Sequence, residues 1–276
     1  MILVTGCNGL AGQAFVKELA SLGMKTRALM RDGAPIPGAD VVKGEIRQLN
    51  TLESALKGMQ VLIAAANGPK EHEAQPLLLD AARRAKIKYV IKWSITGALK
   101  ESPVGLGRRH ALGEEQLKKS GLPFTIMRAH LPMQFFLYAK EAMKSGVLTS
   151  ATQDKKFAML DSRDLAKLVQ YWLEEPADHV GRTHFVTGEA LSSYSDMLDA
   201  IGEVTKRKIR HENVSPQALQ QELVAQKFAP WIVEDIPLTH QALVMRADMQ
   251  KTTLKDAGIT ARTVRDFAKD YAGAFA

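Results

Sequence analysis

The sequence contains one cysteine, Cys7, in 276 residues. A single thiol excludes an intramolecular disulfide framework and a thiolate metal site. The seven histidines show neither HExxH nor another paired-ligand spacing, so we expect no bound metal ion. No apolar run approaches the roughly 20 residues of a membrane span, and a strand that begins at residue 2 leaves no room for a signal peptide. We therefore expect a cytoplasmic protein that does not contact a membrane.

Positive charge is in excess, with a net charge of +7 and a pI of about 9.4. The lysines and arginines are scattered, and the one dense cluster is Lys206-Arg207-Lys208-Ile209-Arg210. A solvated strand or turn explains this cluster better than a nucleic-acid surface does. With 46% hydrophobic residues the chain can bury a large core. We expect a monomer or homodimer acting on a small-molecule substrate, without a nucleic-acid partner.

The first thirty-one residues have the pattern strand, glycine turn, helix and strand. An apolar run at residues 2–4 ends at the glycine turn, Gly6-Cys7-Asn8-Gly9-Leu10-Ala11-Gly12. Apolar side chains then recur at helical spacing: Ala11, Phe15, Leu19 and Leu22. Gly23 ends this helix, and residues 24–30 read as a second strand. The stretch predicts a βαβ unit with a right-handed crossover.

Each glycine of the turn has a separate predicted task. Gly6 lets the chain turn off the strand, Gly9 lets the backbone approach a pyrophosphate, and Gly12 allows close helix packing. The helix N-terminus offers free N–H groups and a positive dipole end to phosphates. The GxxGxxG spacing differs from the GxGxxG dinucleotide fingerprint, but its strand-turn-helix context favours a nucleotide site over ordinary turn glycines. The cofactor-binding residues predicted here are Gly6, Asn8, Gly9, Leu10 and Gly12.

Cys7 lies within the same turn, near a helix N-terminus that could activate a thiol. The sequence shows no partner cysteine and no adjacent base. We therefore interpret Cys7 as a small packing residue.

Downstream, the chain alternates between strands and helices. Strands are predicted at residues 40–43, 61–66, 89–94 and 124–128, and helices at residues 52–59, 74–86 and 108–119. Asn50 or Thr51 is the expected cap of the first of these helices. The run 61–66 is apolar throughout, which indicates a strand buried on both faces, and Ala65 near its end is a further predicted cofactor contact. Six strands alternating with helices predict an α/β fold built on a doubly wound parallel (Rossmann) sheet.

The alternation ends after Arg128. A helix at residues 132–144, a helix at 163–173 capped by Asp161-Ser162, a strand at 184–187 and a last helix capped by Thr260 are predicted there. We assign residues 1–130 and 155–188 to the dinucleotide-binding domain, and residues 131–154 and 189–276 to a smaller, mostly helical substrate-binding lobe. Ligands of open α/β sheets lie beyond the carboxyl ends of the strands, where such a lobe would close a pocket.

Several segments together carry a family resemblance. They are residues 4–12, Arg27-Ala28-Leu29-Met30-Arg31, Gly44-Glu45-Ile46, residues 121–128 and Asp164-Leu165-Ala166. The chain resembles the NmrA-like branch of the atypical extended short-chain dehydrogenases/reductases, most strongly over residues 1–130. The resemblance implies either an NAD(P)H-dependent reductase of quinones and other conjugated small molecules, or a redox-sensing regulator that binds the nucleotide without turning it over.

Short-chain dehydrogenases use a Tyr-x-x-x-Lys pair, in which the tyrosine donates a proton and the lysine holds the nicotinamide ribose. The residues four positions after the five tyrosines are Trp93, Ala142, Glu175, Leu198 and Phe275. None is a lysine. The resemblance puts His110, with Glu114 four residues later, at the lysine position and Leu106 at the tyrosine position. The standard proton relay is therefore absent.

Three residues are catalytic candidates. His110 is predicted to hold the ribose, with Glu114 orienting its ring and favouring the imidazolium form; the alternative is a surface His-Glu pair. Thr96 falls where the resembled family has its catalytic Ser or Thr, and a loop-capping hydroxyl is the alternative. His130, after the sixth strand, is a candidate proton donor or a structural histidine. The side chains predicted to border the substrate with it are Met133, Phe135 and Phe136.

The end of the second strand bears on cofactor choice. NAD-binding sheets have a carboxylate about 20 residues beyond the glycines, and the resemblance puts the neutral Met30 there. Asp32 is the competing carboxylate, in a turn-forming sequence. Arg31 is predicted to pair with a 2′-phosphate, and Lys43 is either a further positive charge or a solvent-facing lysine. Glu45 is expected near the adenine, with helix capping or solvent as the alternative.

These inferences combine into one prediction. The chain is expected to be an NADPH-dependent oxidoreductase that reduces a small hydrophobic acceptor such as a quinone or an enone, because the product anion of such an acceptor needs no tyrosine. An NAD(P)-binding regulator without turnover is the alternative, and a nucleic-acid-binding protein is a more distant one.

Overall fold

A computed structural model describes residues 1–31, 35–66, 68–251 and 253–276. The first part of the chain forms β1 (Ile2–Thr5), α1 (Leu10–Ser21), β2 (Thr26–Met30), β3 (Asp40–Lys43), α2 (Leu49–Leu56), β4 (Val61–Ala64), α3 (Glu71–Arg84), β5 (Tyr89–Ile95), α4 (Gly105–Lys119) and β6 (Phe124–Ala129). It continues with α5 (Lys140–Lys144), β7 (Val147–Ser150), α6 (Ser162–Glu174), β8 (Thr183–Val186), α7 (Tyr194–Thr205), β9 (Arg210–Asn213), α8 (Pro216–Ala225), α9 (Pro230–Met245), α10 (Thr253–Asp256), α11 (Val264–Asp270) and α12 (Ala272–Phe275). Short 3₁₀ helices span Met133–Ala139 and Pro176–Asp178.

The main sheet has seven parallel strands in the order β3-β2-β1-β4-β5-β6-β8. β1 lies between β2 and β4, with Leu3 opposite Arg27 on one side and Leu62 on the other. The strand order reverses at β1, which is the point where open α/β sheets bind ligands. The predicted fold class, a doubly wound parallel sheet with a smaller, mostly helical C-terminal part, is confirmed.

The chain divides into two compact units. The first consists of Met1–Lys100, Leu106–Ala129 and Ser162–Val186 and contains the seven-stranded sheet. The second consists of Glu101–Gly105, His130–Asp161 and Thr187–Ala276, and it is mostly helical with a two-stranded parallel sheet of β7 and β9.

The first unit buries both faces of its sheet. On one face, an apolar cluster joins the strands to α2, α3 and α4; it includes Leu3, Leu62, Val90, Ile126, Leu52, Leu78 and Leu117. On the other face, α1 packs beside α6, and the ring of Phe15 contacts Trp93 of β5 at 5.3 Å between centroids. Burial of each such side chain stabilises the fold by about 1.5–3 kcal/mol.

Three local predictions were wrong. α2 begins at Leu49 after Gln48, because the Thr51 hydroxyl bonds to the backbone of Glu45 and Gln48 rather than capping the helix. The last segment is capped by Thr263, not Thr260, since Asp266 three residues later completes a capping box with Thr263. The predicted helix at 132–144 is a 3₁₀ helix followed by the short α5.

Candidate functional site

The glycine turn leaves no room for a side chain at its first residue. Gly6 has φ +79°, and a Cβ there would lie 2.6 Å from backbone atoms of Ala65 and Ala66. A Cβ on Gly12 would overlap the carbonyl oxygen of Gly6. The turn therefore packs directly against the chain that follows β4, and only glycine allows this approach.

α1 begins at this turn. Gly9 precedes the helix in an extended conformation (φ −83°, ψ 152°), and it forms no side-chain cap, since glycine has no side chain. The N–H groups in the first turn of a helix have no acceptor within the helix, and in α1 this turn directly follows Gly9. With the helix dipole, N–H groups in this position are of the kind that bind a pyrophosphate in other proteins.

The end of β2 is tied to the glycine turn. The backbone N–H of Arg31 donates to Asn8 Oδ1 at 3.2 Å. The Arg31 side chain is exposed, whereas Met30 is 1% exposed and belongs to the core. Arg31 is therefore a charged side chain held beside the turn through its own backbone. The competing carboxylate, Asp32, lies outside the described residues together with Gly33 and Ala34.

Glu45 lies two residues after the end of β3 and is half-buried. Its N–H donates to Thr51 Oγ1 at 3.1 Å, and the Thr51 hydroxyl donates to the Glu45 carbonyl oxygen at 2.9 Å. Lys43 is exposed. These bonds fix the backbone of the loop that carries the Glu45 side chain.

Cys7 is fully buried, and its thiol donates to the carbonyl oxygen of Val4 at 3.2 Å. Burial raises the pKa of the Cys7 thiol to about 12. The thiol is protonated at neutral pH, which agrees with a packing role and not with a reactive one.

A small cavity lies next to the glycine turn. It has a volume of about 10 Å³, enough for about one water molecule. Its lining residues come from the loop after β4, from α3, from β5 and from α4: Ala66, Gly68, His72, Gln75, Lys92, Arg109 and His110. The backbone of Ala66 also contacts Gly6, so one short segment borders both the turn and the cavity.

His110 faces this cavity from α4 and is 4% exposed. Among the described residues, neither ring nitrogen has a hydrogen-bond partner. Burial, together with the charges of Lys92 and Arg109, holds the pKa of His110 well below its usual 6.5. The ring is therefore neutral at physiological pH and keeps one donor and one acceptor for a ligand.

The predicted link between His110 and Glu114 is wrong. Glu114 is 2% exposed and accepts two hydrogen bonds from Arg128, at 2.8 and 2.6 Å, and one from Ser94 Oγ at 2.6 Å. The guanidinium on the neighbouring strand β6 binds the carboxylate in two places, so Glu114 does not orient the imidazole. The surface-pair alternative is wrong as well, because both residues are buried, and the imidazolium form is disfavoured.

Thr96 directly follows β5 and is 8% exposed, with its N–H donating to the Ala129 carbonyl oxygen at 3.1 Å. His130 belongs to the second unit and is 4% exposed. Burial and the charge of Arg246 lower the pKa of His130 to about 4, so its ring is neutral at pH 7. Any proton that His130 donates at this pH must come from a neutral imidazole, which is a weak acid.

The predicted substrate-bordering side chains differ in exposure. Met133 and Phe136 are buried, and the Phe136 ring packs edge-on against Tyr194 at 4.8 Å between centroids. Phe135 is 41% exposed. Phe136 therefore has a core contact, and Phe135 is the member of the set that faces solvent.

Lys92 was missed by sequence reasoning. It lies within β5, opposite Ala64 of β4 and Ile126 of β6, and it is 4% exposed. The available signal was a lysine inside the strand Tyr89-Val90-Ile91-Lys92-Trp93-Ser94, since a central strand buried on both faces rarely contains a charge.

Two kinds of feature are absent from the described ranges. They contain no helix with the length and apolarity to cross a membrane. They also contain no grouping of three or more His, Cys, Asp or Glu side chains that could ligate a metal ion.

Comparison with known proteins gives consistent matches. The sequence model of the NmrA-like family matches residues 1–249. An NAD(P)H azoreductase of Xenophilus azovorans is 27% identical over 285 residues, covering 100% of this chain and 99% of that protein. A (4-alkanoyl-5-oxo-2,5-dihydrofuran-3-yl)methyl phosphate reductase of Streptomyces griseus is 28% identical over 286 residues, with the same coverage of 100% and 99%.

A solved structure shares the fold. The NADPH-dependent quinone oxidoreductase of Escherichia coli, in complex with NADPH, superimposes with a TM-score of 0.79 at 21% identity. The match covers 98% of this chain and 99% of that one.

Proposed function

Since the chain belongs to the NmrA-like family, we propose that it is an NADPH-dependent oxidoreductase that reduces a small hydrophobic conjugated acceptor such as a quinone or an enone. The observation that carries this proposal is the glycine turn at the switch point of the sheet, directly followed by the N-terminus of α1. A glycine turn that allows close backbone approach, directly followed by a helix N-terminus, fits a pyrophosphate.

The residues of this chain fit a dinucleotide at three places. Gly6, Asn8, Gly9, Leu10 and Gly12 would surround the pyrophosphate. Arg31 and Glu45 would lie at the adenosine end. Ala65 and His110 would lie at the nicotinamide ribose. The nitrogens of His110, which have no partner in the part of the chain that the structure describes, would supply a donor and an acceptor. The bound cofactor supplies hydride; the protein supplies the binding and orientation.

The acceptor class follows from what the site can do with protons. No Tyr-x-x-x-Lys pair is present, and His110 is neutral because of its burial. Reduction of a quinone or an enone gives an anion that is delocalised or protonated by water, so hydride transfer proceeds without a strong local acid. Thr96 is the proposed hydrogen-bonding group for the acceptor, and the role of His130 as a proton donor stays a prediction.

The two relatives support the same reaction class. One is named as an NAD(P)H azoreductase. The other is named as a reductase of a 4-alkanoyl-5-oxo-2,5-dihydrofuran derivative, whose carbonyl groups are conjugated with a ring double bond. Both names describe reductases.

The preference for NADPH rests on Arg31. Met30 is in the core, so it contributes neither a carboxylate for a ribose nor a charge against a 2′-phosphate. Arg31 is exposed and anchored to the turn through Asn8. A guanidinium at this place favours the phosphorylated cofactor through a charge-assisted bond.

The test is a direct assay of the purified protein. NADPH binding is titrated first; then quinones, enones and azo dyes are added in turn while the absorbance of the reduced cofactor is followed. Oxidation of NADPH that depends on the acceptor is expected. Tight binding without turnover across the whole panel would favour the nucleotide-binding regulator. If neither NADPH nor NADH binds, both the oxidoreductase and the regulator are refuted.

A further inference from the structure

Lys92 places a charge where a sheet normally has none. It lies on a strand with neighbours on both sides and is 4% exposed. Burial of an ammonium group costs free energy unless the surroundings use its charge. Lys92 and Ser94 are two residues apart, so they lie on the same face of β5. Ser94 bonds to Glu114 of α4, and Lys92 reaches the cavity lined by His110, one helical turn earlier on the same helix.

The polar side chains that line the cavity are mostly hydrogen-bond donors, which bind an electron-rich atom. Its polar lining consists of Lys92 from β5, Arg109 and His110 from α4, and His72 and Gln75 from α3. None of these described lining residues is an aspartate or a glutamate. Glu114, the buried acid one turn further along α4, already accepts bonds from Arg128 and Ser94. The volume, about 10 Å³, suits a single oxygen atom.

We propose that Lys92 is a cofactor-binding residue that, together with His110, holds a hydroxyl group of the nicotinamide ribose in this cavity. A lysine delivered by strand β5 thus takes the place of the lysine that the Tyr-x-x-x-Lys pattern has on the helix. The inference rests on the proposed function, since it takes the cavity to be the ribose side of a dinucleotide site.

The chemistry of the two side chains is complementary. A hydroxyl group offers one donor and acceptor lone pairs. The Lys92 ammonium can only donate, so it binds the hydroxyl oxygen. A neutral imidazole has one nitrogen lone pair, so His110 accepts the hydroxyl proton. The charges of Lys92 and Arg109 keep the pKa of His110 low, which preserves that acceptor.

The first test compares two lysine variants. Lys92→Met keeps the length of the side chain and removes the charge, while Lys88→Met removes an exposed lysine just before the same strand. NADPH affinity is measured by ligand titration without any acceptor. Lys92→Met is expected to bind NADPH roughly 10- to 150-fold more weakly, the effect of one charge-assisted hydrogen bond. Lys88→Met is expected to bind like the wild type.

The second readout is the titration of His110 in the cofactor-free protein. Its imidazole signal is assigned in NMR spectra by its loss in His110→Ala. Removing a neighbouring positive charge makes protonation easier, so the pKa of His110 should rise in Lys92→Met and stay unchanged in Lys88→Met. An unchanged pKa of His110 in Lys92→Met would show that the Lys92 charge does not reach the ring, which would overturn the shared contact.

The outcomes separate the two proposals. If the wild type binds NADPH and Lys92→Met binds it equally well, the role of Lys92 is overturned and the proposed function stands. If the wild type binds no dinucleotide, the proposed function fails first. Should Lys92→Met not fold, the wild type decides: saturating NADPH must shift the His110 signal, and an unshifted signal overturns the contact.

Discussion

The two units of the molecule each contain a buried histidine, and the two histidines are in opposite situations. His110 in the first unit is 4% exposed, and neither nitrogen has a partner among the described residues. His240 in the second unit is 7% exposed; its Nδ1 accepts from the Ala151 N–H at 3.1 Å, and its Nε2 lies 3.4 Å from the Tyr194 hydroxyl. Burial lowers the pKa of both. Burial and a lowered pKa therefore do not separate the two histidines, whereas hydrogen-bond satisfaction separates the proposed cofactor contact, His110, from His240.

Hydrogen-bond satisfaction also identifies a second polar group as structural. In the second unit, Ser150 Oγ lies 2.7 Å from His211 Nε2, and His211 Nδ1 lies 3.3 Å from Asp154. These residue types in this order resemble an acyl-transfer triad. Ser150 is fully buried and also bonds to Thr152, so its hydroxyl is already used. The group connects β7 to β9 and is a satisfied network, whereas the two ring nitrogens of His110 have no hydrogen-bond partner among the described residues.

The largest change in NADPH binding is expected from a side chain placed in the glycine turn. Gly9→Val places a branched side chain where the backbone must approach the pyrophosphate, so NADPH binding should be lost from a folded protein. Binding is measured by titration and folding by circular dichroism. A valine at Leu22, at the far end of α1, is the matched control and should bind normally. Unchanged affinity in folded Gly9→Val would remove the basis of the proposed nucleotide site.

Acid should affect both histidines alike. The pKa of His240 is lowered from 6.5 to about 4, so below pH 6.5 the unfolded chain takes up a proton that the folded protein does not. Stability is therefore expected to fall as the pH drops from 6.5 to about 4. At about 1.4 kcal/mol per pH unit, His240 accounts for about 3 kcal/mol of this loss. Urea unfolding at the two ends of this range measures it, and His240→Leu should lose less. An equal loss in both proteins would contradict this assignment.

Local chemistry made the fold and the turn predictable. The strand, the glycines and the amphipathic α1 are contiguous in sequence, and each constrains its neighbour within a few residues. The family resemblance drawn from such segments is confirmed by the match over residues 1–249. The roles of the individual site residues stay predictions, because they concern contacts with a ligand.

Tertiary contacts made the rest unpredictable. Glu114 lies one turn from His110 in sequence, but the stronger partner, Arg128, arrives from a strand whose register the sequence does not state. The cavity around Lys92 likewise combines α3, β5 and α4. Spacing along one helix is a weak guide wherever a guanidinium from another element competes for the same carboxylate.

The third prediction concerns the choice between NADPH and NADH at Arg31. Arg31→Ala removes the guanidinium but leaves the backbone bond to Asn8, so the turn should keep its shape. We expect the preference for NADPH over NADH to fall by about 1.5–3 kcal/mol, roughly 10- to 150-fold. Dissociation constants for both cofactors measure it, and Lys43→Ala is the control for general charge. Equal affinities in the wild type, or a preference that survives Arg31→Ala, would show that another residue selects the cofactor.

The smallest effects are expected from variants of the two buried histidines, His110 and His240. The ring nitrogens of His110 have no hydrogen-bond partner among the described residues, so His110→Ala breaks no hydrogen bond seen in the structure. It should weaken NADPH binding by about 1–3 kcal/mol, roughly 5- to 150-fold. His240→Leu leaves the buried Ala151 N–H without its acceptor, so it should lower the free energy of unfolding by about 1–3 kcal/mol at pH 7 and leave NADPH affinity unchanged. Both variants are measured by NADPH titration and by urea unfolding. If unsatisfied nitrogens mark the binding site, His110→Ala loses mainly NADPH affinity and His240→Leu loses mainly stability. If His110→Ala binds NADPH like the wild type, or if His240→Leu loses affinity instead, hydrogen-bond satisfaction does not separate function from structure in this protein.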